Sequence, residues 1–287
     1  MMKKITLIVI FSTLISTSFA QTVNINLTSG QKFSVDNKIT AVTTQTLMGQ
    51  SMESNAEISS KYSIEVKNIK DNNYNLTNTF TKMKAKLSAM GNDMNFDSDK
   101  KEDMEGEYAA SFKDIINKPK SVVIDKSGKV LNTTKTETIP TDAHSNIMKM
   151  MLDQLLGDPE ETGFGSDIAF VSTPSKIITG YNWTDSSNKD GIQKSTTYAV
   201  KEIKGTEAVI TITGILNTDV KSQMQGMDIV NKSKGNLTGE EIVDLTTGVI
   251  KQKTTTLQSQ GNVSVTSQGL DIPMVTKVTF VSAVKPV

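Results

Sequence analysis

The strongest constraint on this chain is that its features come twice. Gly30-Gln31-Lys32-Phe33 returns as Gly180-Tyr181-Asn182-Trp183, in each case a turn glycine three residues ahead of a large aromatic. Tyr62-Ser63-Ile64-Glu65-Val66-Lys67-Asn68-Ile69-Lys70 returns as Tyr198-Ala199-Val200-Lys201-Glu202-Ile203-Lys204, with Val66 over Val200 and Ile69 over Ile203 at one spacing. A third match sets Asp125-Lys126-Ser127-Gly128-Lys129-Val130 beside Asp244-Leu245-Thr246-Thr247-Gly248-Val249-Ile250, each a hairpin turn between apolar residues. Around these landmarks short alternating runs rich in Thr, Ser and Val are broken by Gly, Asn and Asp, the pattern of antiparallel sheet with one face in water. The expectation is a mainly β fold with minor α: two tandem curved antiparallel sheets related by internal duplication, a first repeat over residues 21–138 and a second over 167–287.

Within the first repeat the apolar phase moves from even positions (Tyr74, Leu76, Phe80) to odd ones (Met83, Ala85, Leu87). A bulge near Thr81 accounts for the change and bends the strand. Residues 139–166 break the β pattern and read as a helix and linker. Asp142 caps a helix whose apolar residues Ile147, Met148, Met151, Leu152 and Leu155 recur at helical spacing, and Gly157-Asp158-Pro159 stops it. A shorter helix around Tyr108 to Ile116 is more faintly signalled.

Residues 1–20 read as a signal peptide. Lys3 and Lys4 precede an apolar run, Ile5 to Ile15, that ends at Ser18-Phe19-Ala20, with small residues three and one before a cut near Ala20. The run is far shorter than the ~20 residues that span a bilayer, and nothing later is as apolar, so no membrane span is expected. The address is periplasmic or secreted. The chain has no cysteine, so no lipobox anchor, disulfide or thiolate metal site is available to it.

Lysines and acids balance at 31 each, and no arginine occurs. This argues against nucleic acid as a partner, where a basic excess and arginine forks are expected. Catalytic constellations are thin. With one histidine and no cysteine, a Ser-His-Asp or Cys-His arrangement would rest on His144 alone, and neither a Gly-x-Ser-x-Gly elbow nor a His-Glu-x-x-His helix is present. Glu160-Glu161 and Glu240-Glu241 read as solvated acids pointing apart. Asp97, Asp99, Glu102 and Asp103 would gather a weak Ca²⁺ only if their loop closed, and the glycine spacing of an EF-hand is missing. No cofactor and no enzymatic activity are expected.

The least ordinary local feature is a set of loops that pair glycine with methionine: Met48-Gly49-Gln50-Ser51-Met52, Met90-Gly91-Asn92-Asp93-Met94, Met224-Gln225-Gly226-Met227 and, more loosely, Gly269-Leu270-Asp271-Ile272-Pro273-Met274. Two fall in each half. Flexible thioethers suit a rim that accepts varied apolar partners, which makes Met48, Met52, Met90, Met94, Met224 and Met227 candidate ligand-binding residues; the opposing reading folds them back over the open end of a sheet to complete its core. A copper option uses His144, Met148 and Met151 on one helical face, although the two methionines are already needed for packing. Phe33 and Trp183 read as repeat anchors that bury themselves.

Together the signal peptide, the Gly-x-x-Phe/Trp openings, the Met-Gly tips and the late Asp-turn-Gly in each half resemble an uncharacterised family of exported Bacteroidetes-type proteins. That resemblance implies a duplicated β fold and an extracytoplasmic address, and brings no activity. A curved antiparallel sheet with a helix on its concave face is also similar to the half-barrels of periplasmic lipoprotein carriers, a likeness of fold alone. The expectation is an exported non-enzymatic binding protein that presents an apolar concave face or Met-rich rim to a hydrophobic small molecule or envelope protein. The alternatives are a structural envelope module without a ligand, a hydrolase, or a Cu(I)-binding protein.

Overall fold

The structure, a computed structural model, describes residues 24–89, 92–106, 108, 109, 112, 115–133, 163, 165–172, 177–224 and 227–287. The expected signal peptide and the expected helix after Asp142 lie outside the described residues.

Long alternating runs become long strands: β1 (Lys32–Leu47), β2 (Gln50–Lys70), β3 (Asn73–Ala89) and β4 (Asn92–Asp97), then β5 (Pro119–Ile124) and β6 (Val130–Thr133). The second half supplies β7 (Asn182–Lys189), β8 (Ile192–Lys204), β9 (Glu207–Met224), β10 (Met227–Asp244), β11 (Ile250–Val265) and β12 (Leu270–Pro286). Among the described residues two short α-helices, α1 (Lys101–Glu105) and α2 (Ser166–Ala169), interrupt them. α1 falls in the stretch expected as a polar loop; of the described residues from Tyr108 to Ile116, Ala109 is in a 3₁₀ turn, the Ile116 amide donates to the Phe112 carbonyl at 2.9 Å, and Ile116 bridges to Phe80.

The strands form one sheet, not two. Its order is β6-β5-β3-β2-β1-β12-β11-β10-β9-β8-β7, with β4 added beside β3. The halves join where β1 meets β12, from Phe33↔Pro286 to Gln45↔Met274. Each half would otherwise leave a long strand with unpaired amides and carbonyls at its edge, and pairing the two removes both edges. The matching landmarks do sit alike: Phe33 faces Ile64 as Trp183 faces Tyr198, and bulges fall at Val66/Asn68 and at Val200/Glu202. The bulge expected near Thr81 is present, because Lys61 pairs with Lys82 and Tyr62 with Phe80, and the Thr81 hydroxyl donates to the Lys61 carbonyl at 3.1 Å.

Strand alternation gives the sheet two unlike faces. The inner face carries three apolar clusters. Ile25, Leu27 and Phe170 pack on Phe33, Ile64 and Leu76; Phe96 and Phe112 pack with Ile39, Ile58 and Met83; Val171 and Ile177 pack on Val200, Ile210 and Val243. The outer face is mainly polar, with a few exposed apolar residues such as Val275 and Ile215. One of its rows is threonine across seven consecutive strands, Thr40, Thr279, Thr256, Thr238, Thr213, Thr197 and Thr184 in register, and ion pairs such as Lys38–Glu57, Asp36–Lys61 and Lys201–Glu240 lace the rest. Charges so placed suit water and not lipid. Among the described residues no helix is long and apolar enough to cross a membrane.

Candidate functional site

The inner face divides along the strands. Toward the β2–β3 and β8–β9 turns it is filled by the first and third clusters, while on β1–β4 the second cluster continues toward the opposite end. Toward the opposite end, on β9–β12, alternation continues to place apolar side chains inward: Leu237, Leu257 and Val278 share one transverse row, and Val263 and Ile272 lie nearer the hairpin tips. Leu237, Leu257, Val263 and Ile272 are half-buried and belong to none of the three clusters. Gly214, Gly235 and Gly261 step diagonally across β9, β10 and β11 on this face. At Gly261 a Cβ would stand 2.0 Å from the Lys232 carbonyl oxygen, and at Gly214 2.7 Å from that of Ser195. The neighbouring strand occupies the place of the missing side chain, so the sheet creases toward its inner face along that diagonal.

The methionine loops fall at one end of this sheet. The β1–β2, β9–β10 and β11–β12 hairpins all turn there, and β3 reverses into β4 beside them. Met48, at φ 50°, is 90% exposed on the first tip. Met52 is half-buried on β2 opposite Gln45, and Met94 packs into the second cluster facing Leu87. Met224 and Met227 pair across the β9–β10 tip, where the Gln268 amide donates to the Met227 sulfur at 3.3 Å. Met90 lies outside the described residues, as do His144, Met148 and Met151. Of the anchors, Phe33 is core, edge-on to Phe170 at 5.8 Å, while the half-buried Trp183 stacks on Tyr198 at 5.1 Å.

At the lower margin of the apolar strip lies a charged cluster that the sequence did not announce. Glu241, 2% exposed, pairs with Lys253, 19% exposed, at 3.0 Å, and the ammonium stands 5.9 Å from the Tyr198 ring centre. Burial alone would lower the Lys253 pKa, but Glu241, Tyr198 and Asp167 together hold it above the ordinary lysine range. The Asp167 carboxylate on α2 reaches solvent yet has protein on most sides, and this loss of bulk water pushes it up to about 6 against the pull of Lys253 and Lys194. Burial, with the Asp167 charge second, pushes the Tyr62 phenol up. Beside the ion pair in the same row, Ser282 and Asn37 are buried, and the Ser282 hydroxyl and the Asn37 carbonyl oxygen make no hydrogen bond. Glu240, next in sequence, faces the other way and pairs with Lys201 in solvent, so only half of the expected solvated couple is solvated. A strand that buries Val243 must turn Glu241 inward too, and that parity was the available signal.

The acids of the Asp97–Asp103 loop, the Ca²⁺ option, are engaged within the protein: Asp97 binds Lys84 at 2.8 Å, and the Asp103 carboxylate accepts from the Asp97 amide. Among the described residues no group of three or more His, Asp or Glu is placed to hold a metal ion.

A model of a family of unknown function, DUF6263, matches residues 71–250. No curated protein matches the chain. Among solved structures, lipovitellin, studied for its lipid–protein interactions, is similar at 14% identity and a TM-score of 0.48 over 91% of this chain, which spans only 25% of the lipovitellin chain. An outer membrane channel from Pseudomonas putida F1 is similar at 7% identity and a TM-score of 0.29, covering 91% of this chain and 97% of its own. OmpF of Salmonella typhi, in complex with daunomycin, reaches 6% identity and a TM-score of 0.25 over 91% of this chain and all of its own. No residue role is carried across from these structures.

Proposed function

The chain belongs to DUF6263, a family of unknown function; membership supplies no activity, and from the two faces of its sheet we propose an exported, non-enzymatic binding protein that presents an apolar inner surface to a hydrophobic ligand. One observation carries the reading: the half-buried strip of Leu237, Leu257, Val263 and Ile272, outside the packed clusters and bordered by the Met-bearing hairpin tips. Burying apolar surface favours association by about 25 cal/mol per Å² before the costs of immobilising the ligand are met. The methionines at the tips supply an adaptable rim, and Met274, opposite Gly261 and two residues from Ile272, brings the fourth Met-Gly loop against the strip, with Met52 farther along the same row.

Native mass spectrometry of the chain beginning at Gln21, isolated from an exported preparation before and after organic extraction, tests this. An extractable adduct of lipid-like mass is expected. A clean apo mass under both conditions would sink the carrier and favour a structural envelope module. Replacing Met48, Met52, Met224 and Met227 with serine is expected to weaken adduct retention with the fold intact; unchanged retention would remove the rim from the site. Copper added to the same sample gives no stoichiometric adduct on this reading.

A further inference from the structure

The outer face of β8–β12, on the opposite side of the sheet from the apolar strip, holds a groove of about 770 Å³ that continues into a second of about 470 Å³. Its floor is built by register. Gln193 on β8, Asn217 on β9, Lys234 on β10 and Gln260 on β11 stand directly opposite one another in one transverse row, which goes on to Val275 and Thr44. The next row brings Asp219, Lys232 and Asn262. Adjacent strands lie about 4.8 Å apart, so the row sets carboxamides on β8, β9 and β11, with the Lys234 ammonium between the last two, across the strands rather than along one.

The groove divides into fixed and free groups. Asp271 accepts from the Asn262 amide at 2.8 Å and from the Ser264 hydroxyl at 2.7 Å, and Lys232 stands 3.5 Å from Asp219. Gln193, Asn217 and Gln260 make no side-chain hydrogen bond among the described residues. The four charges of the lining, Lys232, Lys234, Asp219 and Asp271, cancel. Val275 and, one row away, Ile215 are 58% and 55% exposed and give the surface two apolar patches.

We propose that this groove binds an uncharged polyhydroxylated chain, a neutral glycan, lying across β8–β11. A carboxamide offers two donors and an acceptor oxygen, and so answers hydroxyls that both donate and accept. A lining whose charges cancel gives neither an anion nor a cation an advantage, and the exposed Val275 and Ile215 suit the C–H face of a sugar ring. Because each bond replaces one to water, the net gain per contact is small. Affinity is expected on the order of 1 mM and insensitive to salt, since no net charge is neutralised.

The test is a ¹H–¹⁵N titration of the folded chain with cellohexaose, xylohexaose and chitohexaose, each at low and high salt. Saturable shifts are expected for at least one of them, centred on Asn217, Lys234 and Gln260. The double variant N217A/Q260A truncates two solvent-facing side chains without hydrogen-bond partners and is expected to keep the wild-type melting curve while losing about tenfold in affinity, roughly the loss of two modest hydrogen bonds. No saturable shift with any of the three sugars would overturn the proposal. So would equal affinity in the double variant, and so would binding that collapses with added salt, the mark of a charge-led site.

Discussion

Glu241 and Lys253 show how much one pair of side chains can depend on its partner. Removing Glu241 alone leaves the half-buried ammonium without its hydrogen-bonded partner and with only the Asp167 charge to answer it; breaking a fully buried pair in this way costs about 3–5 kcal/mol. E241A is therefore expected to lower urea stability by a few kcal/mol, whereas K253M/E241L, which replaces both charges with apolar groups, is expected to return near wild type. If the double variant is as unstable as the single one, the pair does more than satisfy itself. Two aspartates then make opposite pH signatures. Partial burial pushes the Asp244 carboxyl up, but bonds from the Thr246 hydroxyl and the amides of Thr246 and Thr247, with Lys251, outweigh it and leave the carboxyl below the ordinary range. Its contribution is present above the unfolded value of about 4 and is lost as pH falls through the lower folded value. Asp167 runs the other way. With a folded value of about 6, the native state holds the extra proton, and stability falls as pH rises from about 4 to about 6. D167N should flatten the urea midpoint over that window, by a modest amount because the carboxylate still reaches solvent, while D244N should flatten the acid limb below about pH 4 and cost stability at neutral pH. The Asp turns were legible in the sequence because their bonds are local. The Glu241–Lys253 pair was not, since its partners come from different strands and only the register unites them.

At the level of strands the legible features are those with a local cause. The change of apolar phase around Thr81 marked a bulge because parity along one strand is written in that strand alone, and the Met-Gly tips fell at one end because alternate hairpins of an antiparallel meander turn on the same side. The crease was not legible: Gly214, Gly235 and Gly261 are unremarkable in sequence and become a diagonal only when β9, β10 and β11 are set in register. The crease yields a contrast between two glycines. Gly261→Ala drives a methyl toward the Lys232 carbonyl and the Ser233 backbone and is expected to cost at least the 1–3 kcal/mol of an overpacked site. Gly205→Ala, in the β8–β9 turn with φ 60° and open space around it, pays only for the left-handed backbone, about 1–2 kcal/mol. Equal losses in urea unfolding would mean that the close approach at Gly261 relaxes freely and that the sheet is not pinned there.

Over the whole molecule the sequence pointed to two β halves, whereas the chain builds one sheet, and the difference turns on a single pairing. β1 and β12 come from opposite ends of the described chain, and nothing local in either strand names the other as its neighbour; each reads equally well as a strand at the edge of its own sheet. Pairing from Phe33↔Pro286 to Gln45↔Met274 sets Val35 beside Val284 and Ile39 beside Phe280, so both the first and the second apolar clusters draw residues from the two halves. A join of that kind makes the halves one cooperative unit, and its great sequence separation makes folding slow. Trp183, the only tryptophan, belongs to the second half and stacks on Tyr198 there, while far-UV circular dichroism reports strands of both halves. The two probes are expected to give one coincident urea transition with single-exponential refolding. K38P, placed in β1 at a position paired with both β2 and β12, should lower the midpoint seen by both probes alike even though Trp183 lies six strands away in the sheet order. A tryptophan transition that stays put while the dichroism midpoint falls would show that the second half holds together without the first, and that the β1–β12 seam joins two domains that fold alone.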